Sequence, residues 1–274
     1  MLFQVQERLL VLPDMEMDCI TFGRGTKPLV MIQGLNTRGI KGAGLGLAWM
    51  YRRFARDYKV WVFDRRKDLR TGVTVEDLAR DLSAAMDAMG ITQADVLAVS
   101  MGGMVGQELA IQRPDLVRKL VLAVTLSQNN DTVEQVIRRW VRMTEAGRWK
   151  SLVRDMAERM YTPAYFRRYR PFLPLLTILQ KPRDPKRFLK LAQACLTCDT
   201  YDRLDKITCP VLVIGGGQDR VVTAQASEEL AEQLGSELVL YEDLGHAAYE
   251  EARDFNQRVY DFFAKEEDYV RLQE

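Results

Sequence analysis

The sequence is poor in the residues on which several chemistries depend. It has one histidine, His246, among 274 residues. It has six serines: Ser83, Ser100, Ser127, Ser151, Ser227 and Ser236. Any catalytic set built on these residue types must be drawn from a short inventory. Net charge is also small, at +1, and carries no global signal for nucleic acid or a membrane surface. No apolar run reaches the roughly 18–20 residues that a membrane span needs. Met1-Leu2-Phe3-Gln4-Val5-Gln6-Glu7-Arg8 lacks a basic stretch followed by an apolar core, so no signal peptide is read. Cysteine is limited to Cys19, Cys195, Cys198 and Cys209. Without an export signal, reduced thiols in a cytoplasm are the expectation. Cys195-Leu196-Thr197-Cys198 lacks a second ligand pair. It reads as buried small hydrophobes near a helix end, not as a metal or redox site. Neither a metal nor an organic cofactor is implied.

What remains is an ordinary globular composition, 47% apolar and 28% charged. The length allows one large α/β domain or two small ones. The most informative stretch is Val96-Leu97-Ala98-Val99-Ser100-Met101-Gly102-Gly103-Met104. An apolar run climbs to a serine, then drops into small residues and a helical pattern. That reads as a buried strand, a tight turn and a helix, with Ser100 at the apex over the helix N-terminus. The pattern is Gly-x-Ser-x-Gly with Ala98 in the first glycine place.

Along the chain, residues 3–12 and 15–22 read as extended segments, and Pro28–Ile32 as a strand buried on both faces. Gly39, Gly42, Gly44 and Gly46 lack the dinucleotide spacing and read as a mobile loop near a site. Ala48 to Asp57 reads as helix and Val60–Phe63 as strand. Val75 to Met89 has an amphipathic pattern stopped by Gly90. After the Ser100 turn a helix runs from Gly102 to Arg113, followed by a strand over Val117–Val124. This alternation argues for a parallel sheet with helices on both faces. It stops from Gln128 to Lys206, about 80 residues that read as helices interrupted at Pro163, Pro171–Pro174 and Pro182–Pro185. Strands return at Val211–Gly215 and Leu238–Tyr241, with helices at Ala224–Leu234 and Phe255–Ala264. The expected organisation is a core of 1–127 and 207–274 with a helical cap of 128–206. Such a cap lies over the strand ends, where ligands bind in open α/β sheets.

Three turns after strands carry the candidate chemistry: Ser100, Asp219 in Gly217-Gln218-Asp219-Arg220-Val221-Val222, and His246 in Gly245-His246. A serine hydroxyl needs an imidazole to take its proton, and a carboxylate to fix the imidazole tautomer. The oxyanion needs two backbone donors, expected from Met101 and from Leu35 in Gln33-Gly34-Leu35. Each is typically worth about 3 kcal/mol of barrier. Asp243, Asp64 and Asp95 are the competing carboxylates. Asp243 reads as a loop residue, Asp64 as a loop brace, and Asp95 lies at the opposite end of its strand.

On these motifs the chain resembles the α/β-hydrolase fold, over nearly everything outside the cap. That group includes carboxylesterases, lactonases, carbon–carbon bond hydrolases and cofactor-free haloperoxidases. The resemblance implies a mostly parallel eight-stranded sheet with an inserted all-helical cap. It implies a Ser100–His246–Asp219 triad that cleaves a small carboxylic ester or lactone through an acyl-enzyme. The chain departs from the family in two places. Gln33-Gly34 stands where His-Gly is usual, and Asp64-Arg65-Arg66-Lys67-Asp68 replaces an arginine- and glycine-rich segment.

Alternatives stay open. A carbon–carbon bond hydrolase or an acyltransferase would use the same residues, and a non-catalytic ligand-binding protein could retain them. A haloalkane dehalogenase would want a carboxylate at position 100. Gln33, Gly34, Asn36, Trp140 and Met143 are the expected substrate contacts, though aromatics at helical spacing also serve packing. Phe172, Leu173, Leu175, Leu176, Ile178 and Leu179 read as cap core or pocket wall. The cap carries 17 basic against 9 acidic residues, leaving −7 on the remainder. The first reading is a solvated helical face; the functional one is attraction of an anionic substrate or acidic surface. No nucleic-acid module surrounds its arginines. A homodimer is left open.

Overall fold

The structure, a computed structural model, describes residues 3–265. Its strands are β1 (Gln6–Val11), β2 (Glu16–Phe22), β3 (Lys27–Ile32), β4 (Tyr58–Phe63), β5 (Ala94–Val99), β6 (Val117–Ala123), β7 (Val211–Gly216) and β8 (Glu237–Tyr241). They form one sheet in the order β1-β2-β4-β3-β5-β6-β7-β8. β2 pairs antiparallel with β1 and β4, and the remaining pairings are parallel. This is the mostly parallel α/β-hydrolase fold.

Strand periodicity sorts side chains onto the two faces of the sheet. Val30, Ile32, Val96, Ala98, Leu120 and Leu122 point into one core cluster. Their neighbours Leu29, Met31, Leu97, Val99, Val121 and Ala123 point into the other. The first face is covered by α2 (Val75–Ala88), α3 (Met101–Gln112) and α9 (Ala224–Leu234). The second is covered by α1 (Gly44–Met50), a 3₁₀ turn at Phe54–Arg56 and α11 (Phe255–Ala264). Helix α2 starts where its sequence allows a reciprocal cap. Thr74 accepts from the Asp77 N–H, and the Asp77 carboxylate accepts from the Thr74 N–H.

Between β6 and β7 the chain forms α4 (Asp131–Glu145), α5 (Trp149–Met160), α6 (Pro163–Tyr169), α7 (Leu173–Leu179) and α8 (Pro185–Cys195). Val133, Ile137 and Trp140 of α4 and Phe188 and Leu191 of α8 pack into the first core cluster. Pro163 and Pro185 do not break helices. They occupy the first turn of α6 and α8, behind the side-chain caps of Thr162 and Asp184. There the missing N–H costs nothing. A short α10 (Ala248–Glu251) precedes α11. Among the described residues no helix is long and apolar enough to cross a membrane.

Three expectations need correction. The glycine-rich segment is not wholly a loop: Gly44 and Gly46 lie in α1, and the Gly42 and Gly44 N–H groups donate to the Glu7 carboxylate (2.8 and 2.9 Å). That segment is therefore tied to β1. The apolar run before and within α7 is not cap core. Phe172, Leu175, Ile178 and Leu179 are exposed, and among the described side chains of the run only Leu173 borders the outer cavity. The Leu176 side chain lies outside the described ones. Met143 faces the core behind α4 and does not border the cavity at Ser100.

Candidate active site

Ser100 joins β5 to α3 with φ +55°, ψ −124°. A non-glycine residue there is strained, and the surroundings hold it. Its N–H donates to the Ala123 carbonyl (2.8 Å), and its carbonyl accepts from Thr125 Oγ1 (2.8 Å). The turn is tight because its neighbours lack side chains. A Cβ on Gly102 would lie 2.0 Å from the Ile32 carbonyl oxygen, and one on Gly103 would lie 2.5 Å from Thr125. The alanine at position 98 is accommodated from the other side. Its Cβ sits 2.8 Å from where a Gly106 side chain would begin, so the space of a missing glycine is found one helical turn further on.

His246 and Asp219 come from the loops after β8 and β7. His246 Nε2 lies 2.9 Å from Ser100 Oγ, and Nδ1 lies 2.7 Å from Asp219 Oδ2. Both His246 and Asp219 are buried. The other Asp219 oxygen accepts from the N–H groups of Val221 (2.7 Å) and Val222 (3.0 Å). Burial alone would raise the Asp219 carboxyl. The neighbouring His246 and the two backbone donors outweigh it and hold the carboxyl below its ordinary value. The carboxylate therefore stays ionised and fixes the imidazole with Nδ1 protonated and Nε2 facing the hydroxyl. A hydroxyl so held can pass its proton to Nε2 while attacking a carbonyl. Asp243 is exposed, and Asp95 pairs with Arg118 at the far end of the sheet, so neither meets the histidine.

The helical segment reaches both loops. The Met160 carbonyl at the end of α5 accepts from Ala247 N–H (2.8 Å), next to His246. Asn130, which caps α4, donates through Nδ2 to the Val222 carbonyl (2.9 Å) beside the Asp219 turn. Tyr161 and Thr162 donate to Glu250 and Glu251 of α10 (2.6 Å each). No local pattern announces these contacts, because each joins residues about 90 positions apart.

Leu35 and Met101 both border the cavity at Ser100, and neither N–H is engaged in a hydrogen bond among the described residues. Met101 opens α3, so its N–H has no intrahelical partner. Gly34 lets the loop press on the serine: a Cβ there would be 3.2 Å from Ser100 Cβ. Bracing runs through the backbone of residue 33, whose carbonyl accepts from the Arg65 guanidinium (2.7 Å). Arg65 is buried, which pushes its guanidinium down to about 10 despite the nearby Asp64 carboxylate. That still leaves it a cation at neutral pH. Asp64 in turn accepts from the Arg65 and Ile40 N–H groups and pairs with Arg187 of α8 (2.7 Å). The Asp64-Arg65 segment and Gln33, the two departures from the family pattern, thus meet.

The cavity at Ser100 is small, about 40 Å³, and mostly apolar. Val133, Ile137, Trp140, Met156, Met160 and Tyr249 enclose it. Trp140 presents its ring there while its Nε1 donates to Asp155 (3.0 Å). Gln33 and Asn36 lie elsewhere, on an adjoining space of about 220 Å³ behind Gly34. Asn36 also borders an outer cavity of about 610 Å³ between the 35–43 loop and α5–α7. Leu35, Met156 and Met160 border both the inner and the outer cavity, so the two spaces adjoin across these side chains. Cys195 lines the inner cavity, and burial pushes its thiol up to about 12, so it is not a thiolate at neutral pH. Among the described residues no group of three or more His, Cys, Asp or Glu side chains could hold a metal ion.

Comparison with known proteins agrees with this fold. The model of the alpha/beta hydrolase family matches residues 34–258. The chain is 24% identical over 260 residues to 3-oxoadipate enol-lactonase 2 of Acinetobacter baylyi, covering 91% of this chain and 94% of that protein. It is 28% identical over 265 residues to a putative carbamate hydrolase RutD of Cronobacter turicensis, covering 86% and 90%. Among solved structures, the enol-lactonase from Burkholderia xenovorans aligns with TM-score 0.83 and 20% identity, covering 94% of this chain and all of that one. An alpha/beta hydrolase from a deep-sea metagenome aligns with TM-score 0.85 and 19% identity, covering 96% and 100%. At such identity the structural likenesses concern the fold alone.

Proposed function

The chain belongs to the alpha/beta hydrolase family, and on that premise we propose that it hydrolyses a small carboxylic ester or lactone. Ser100 is the nucleophile, His246 the general base and then acid, and Asp219 the carboxylate that orients His246. As Ser100 Oγ bonds to the substrate carbonyl carbon, its proton passes to His246 Nε2. The oxyanion is held by the N–H groups of Leu35 and Met101. Collapse of the tetrahedral intermediate expels the alcohol, which takes the proton from His246 and leaves an acyl-serine. Water, deprotonated by the same nitrogen, then attacks the acyl-serine, and collapse returns Ser100 and the free acid. Residues 128–206 act as a cap that keeps bulk water from this chemistry.

The observation that carries this reading is the continuous chain Ser100 Oγ–His246 Nε2–Nδ1–Asp219 Oδ2 at 2.9 and 2.7 Å, beside an apolar cavity. The names of the relatives, enol-lactonase and carbamate hydrolase, support the same bond class. Among the described residues no arginine or lysine borders the inner cavity. The acyl group next to Ser100 is therefore short and uncharged. A panel of p-nitrophenyl esters and lactones of graded acyl length and charge tests this. Hydrolysis of short neutral substrates, abolished in Ser100→Ala, is the expected result. A folded wild type that turns over none of them contradicts it.

A further inference from the structure

The outer cavity opens beside an unusual surface. Helices α6 and α7 are joined by a 3₁₀ turn at Arg170–Phe172, and this stretch forms one wall. It exposes Phe172 (58%), Leu175 (55%), Ile178 (70%) and Leu179 (49%). Four large apolar side chains so close together are not the scattered exposure normal for a protein surface. On the other wall Ala43 is followed at once by α1, which exposes Leu45 (75%) and Trp49 (60%).

The charges around the α7 patch have one sign. Residues 163–190 contain eight basic residues and a single acid, Asp184. Arg167, Arg168, Arg170, Lys181 and Arg183 are exposed, and among the described residues none forms a salt bridge. This is not the balanced ion-pair surface found elsewhere on the chain, as where Arg80 meets Glu76 and Asp77 or Arg113 meets Asp87 and Asp115. Apolar side chains ringed by unpaired cations match an anionic bilayer, whose interface takes the apolar groups while its headgroups meet the cations. The overall charge of +1 conceals this local excess.

We infer that the α6–α7 face docks on an anionic lipid surface, with the mouth of the outer cavity turned toward it. An ester dissolved in the bilayer then reaches the cavity without crossing water. Docking itself does not depend on the hydrolytic reading.

The test is co-sedimentation of the full chain with vesicles of phosphatidylcholine alone and of phosphatidylcholine with phosphatidylglycerol, using wild type, Ser100→Ala, Leu175→Ser/Ile178→Ser and Arg167→Gln/Arg168→Gln. Wild type and Ser100→Ala bind the phosphatidylglycerol vesicles alike, and binding weakens with salt. Each arginine removed weakens binding about fivefold. The Leu175→Ser/Ile178→Ser protein loses binding yet keeps its melting temperature and its activity on a soluble short ester. Equal binding to both vesicles, or binding to neither, overturns the inference. A salt-insensitive dimer in light scattering, lost in Leu175→Ser/Ile178→Ser, would instead assign the face to a second copy of the chain.

Discussion

Helices α3 and α7 are both short and apolar, and they meet opposite fates. Every residue of α3 from Met101 to Ala110 is buried, including Gln107 and Glu108. Those two polar side chains are satisfied: Gln107 donates to the Gly103 and Leu126 carbonyls, and Glu108 pairs with Arg203. Most of the apolar side chains at α7 meet solvent. The difference lies in what each can touch. Gly102, Gly103 and Gly106 let α3 settle onto β3, β5 and β6 at backbone distance. At α7 four large side chains are placed with no such surface opposite them. Hydropathy marks a segment as able to be buried; the shape of its partner decides whether it is.

Changes on the α3 side should have the largest effects. Ser100→Ala is expected to lower kcat by about a millionfold, as for removal of a nucleophile in serine enzymes. The melting temperature should hardly move, because the alanine fits and relieves nothing the fold depends on. Gly102→Ala should damage the fold itself. Its Cβ would meet backbone, not a yielding side chain, so a loss of about 3 kcal/mol or more is expected from the denaturant midpoint. Arg65→Met should lower kcat on the order of tenfold to a hundredfold with a smaller change in KM, since it loosens the loop carrying the Leu35 N–H without touching substrate. Arg65→Lys should recover part of the loss. An equal loss of kcat from wild-type-like Arg65→Met and Arg65→Lys proteins would exclude bracing through the carbonyl of residue 33.

Acid should act through the same site. The Asp219 carboxyl is held below its ordinary value, so the folded state binds fewer protons there than the unfolded chain. Its contribution to stability is complete above the unfolded value and is lost as pH falls toward the lowered folded one. Melting temperature followed into acid should therefore fall less steeply in Asp219→Asn than in wild type. The smallest effect belongs to α7. Ile178→Ser should change stability by less than about 0.5 kcal/mol, because the side chain is already in solvent. A destabilisation of several kcal/mol there would mean α7 is packed after all, and the contrast with α3 would collapse.

Much of the sheet was legible because each parallel strand contains an uninterrupted apolar stretch of at least four residues bounded by turn residues. The helix bounds Ala224–Leu234 and Phe255–Ala264 read from periodicity coincide with α9 and α11. Ser100 and His246 stood out through scarcity, and the structure brings them within hydrogen-bond distance. Asp64 and Asp243 follow strands as Asp219 does, so only the Gly217-Gln218-Asp219-Arg220-Val221-Val222 pattern and the closeness of Asp243 to His246 in sequence told them apart. The glycine-rich segment misled because glycine usually breaks helices, whereas here α1 packs Ala48 into the core and Glu7 holds the entry. The prolines marked helix boundaries, since Pro163 and Pro185 each open a new helix. Arg65 was invisible as a brace, because its partner is the backbone of residue 33 and a backbone acceptor leaves no mark on composition. Met160, Tyr161 and Asn130 were missed likewise: their links to the loops after β7 and β8 are long-range hydrogen bonds made after the chain has folded.

If Ser100 is an activated nucleophile, it reacts with a serine-directed electrophile. The folded protein is treated with a fluorophosphonate, and the adduct is mapped by intact mass and peptide sequencing. One adduct per chain on Ser100, absent from Ser100→Ala, is the predicted result. No adduct on a folded wild type, or an adduct that persists in Ser100→Ala, would contradict it.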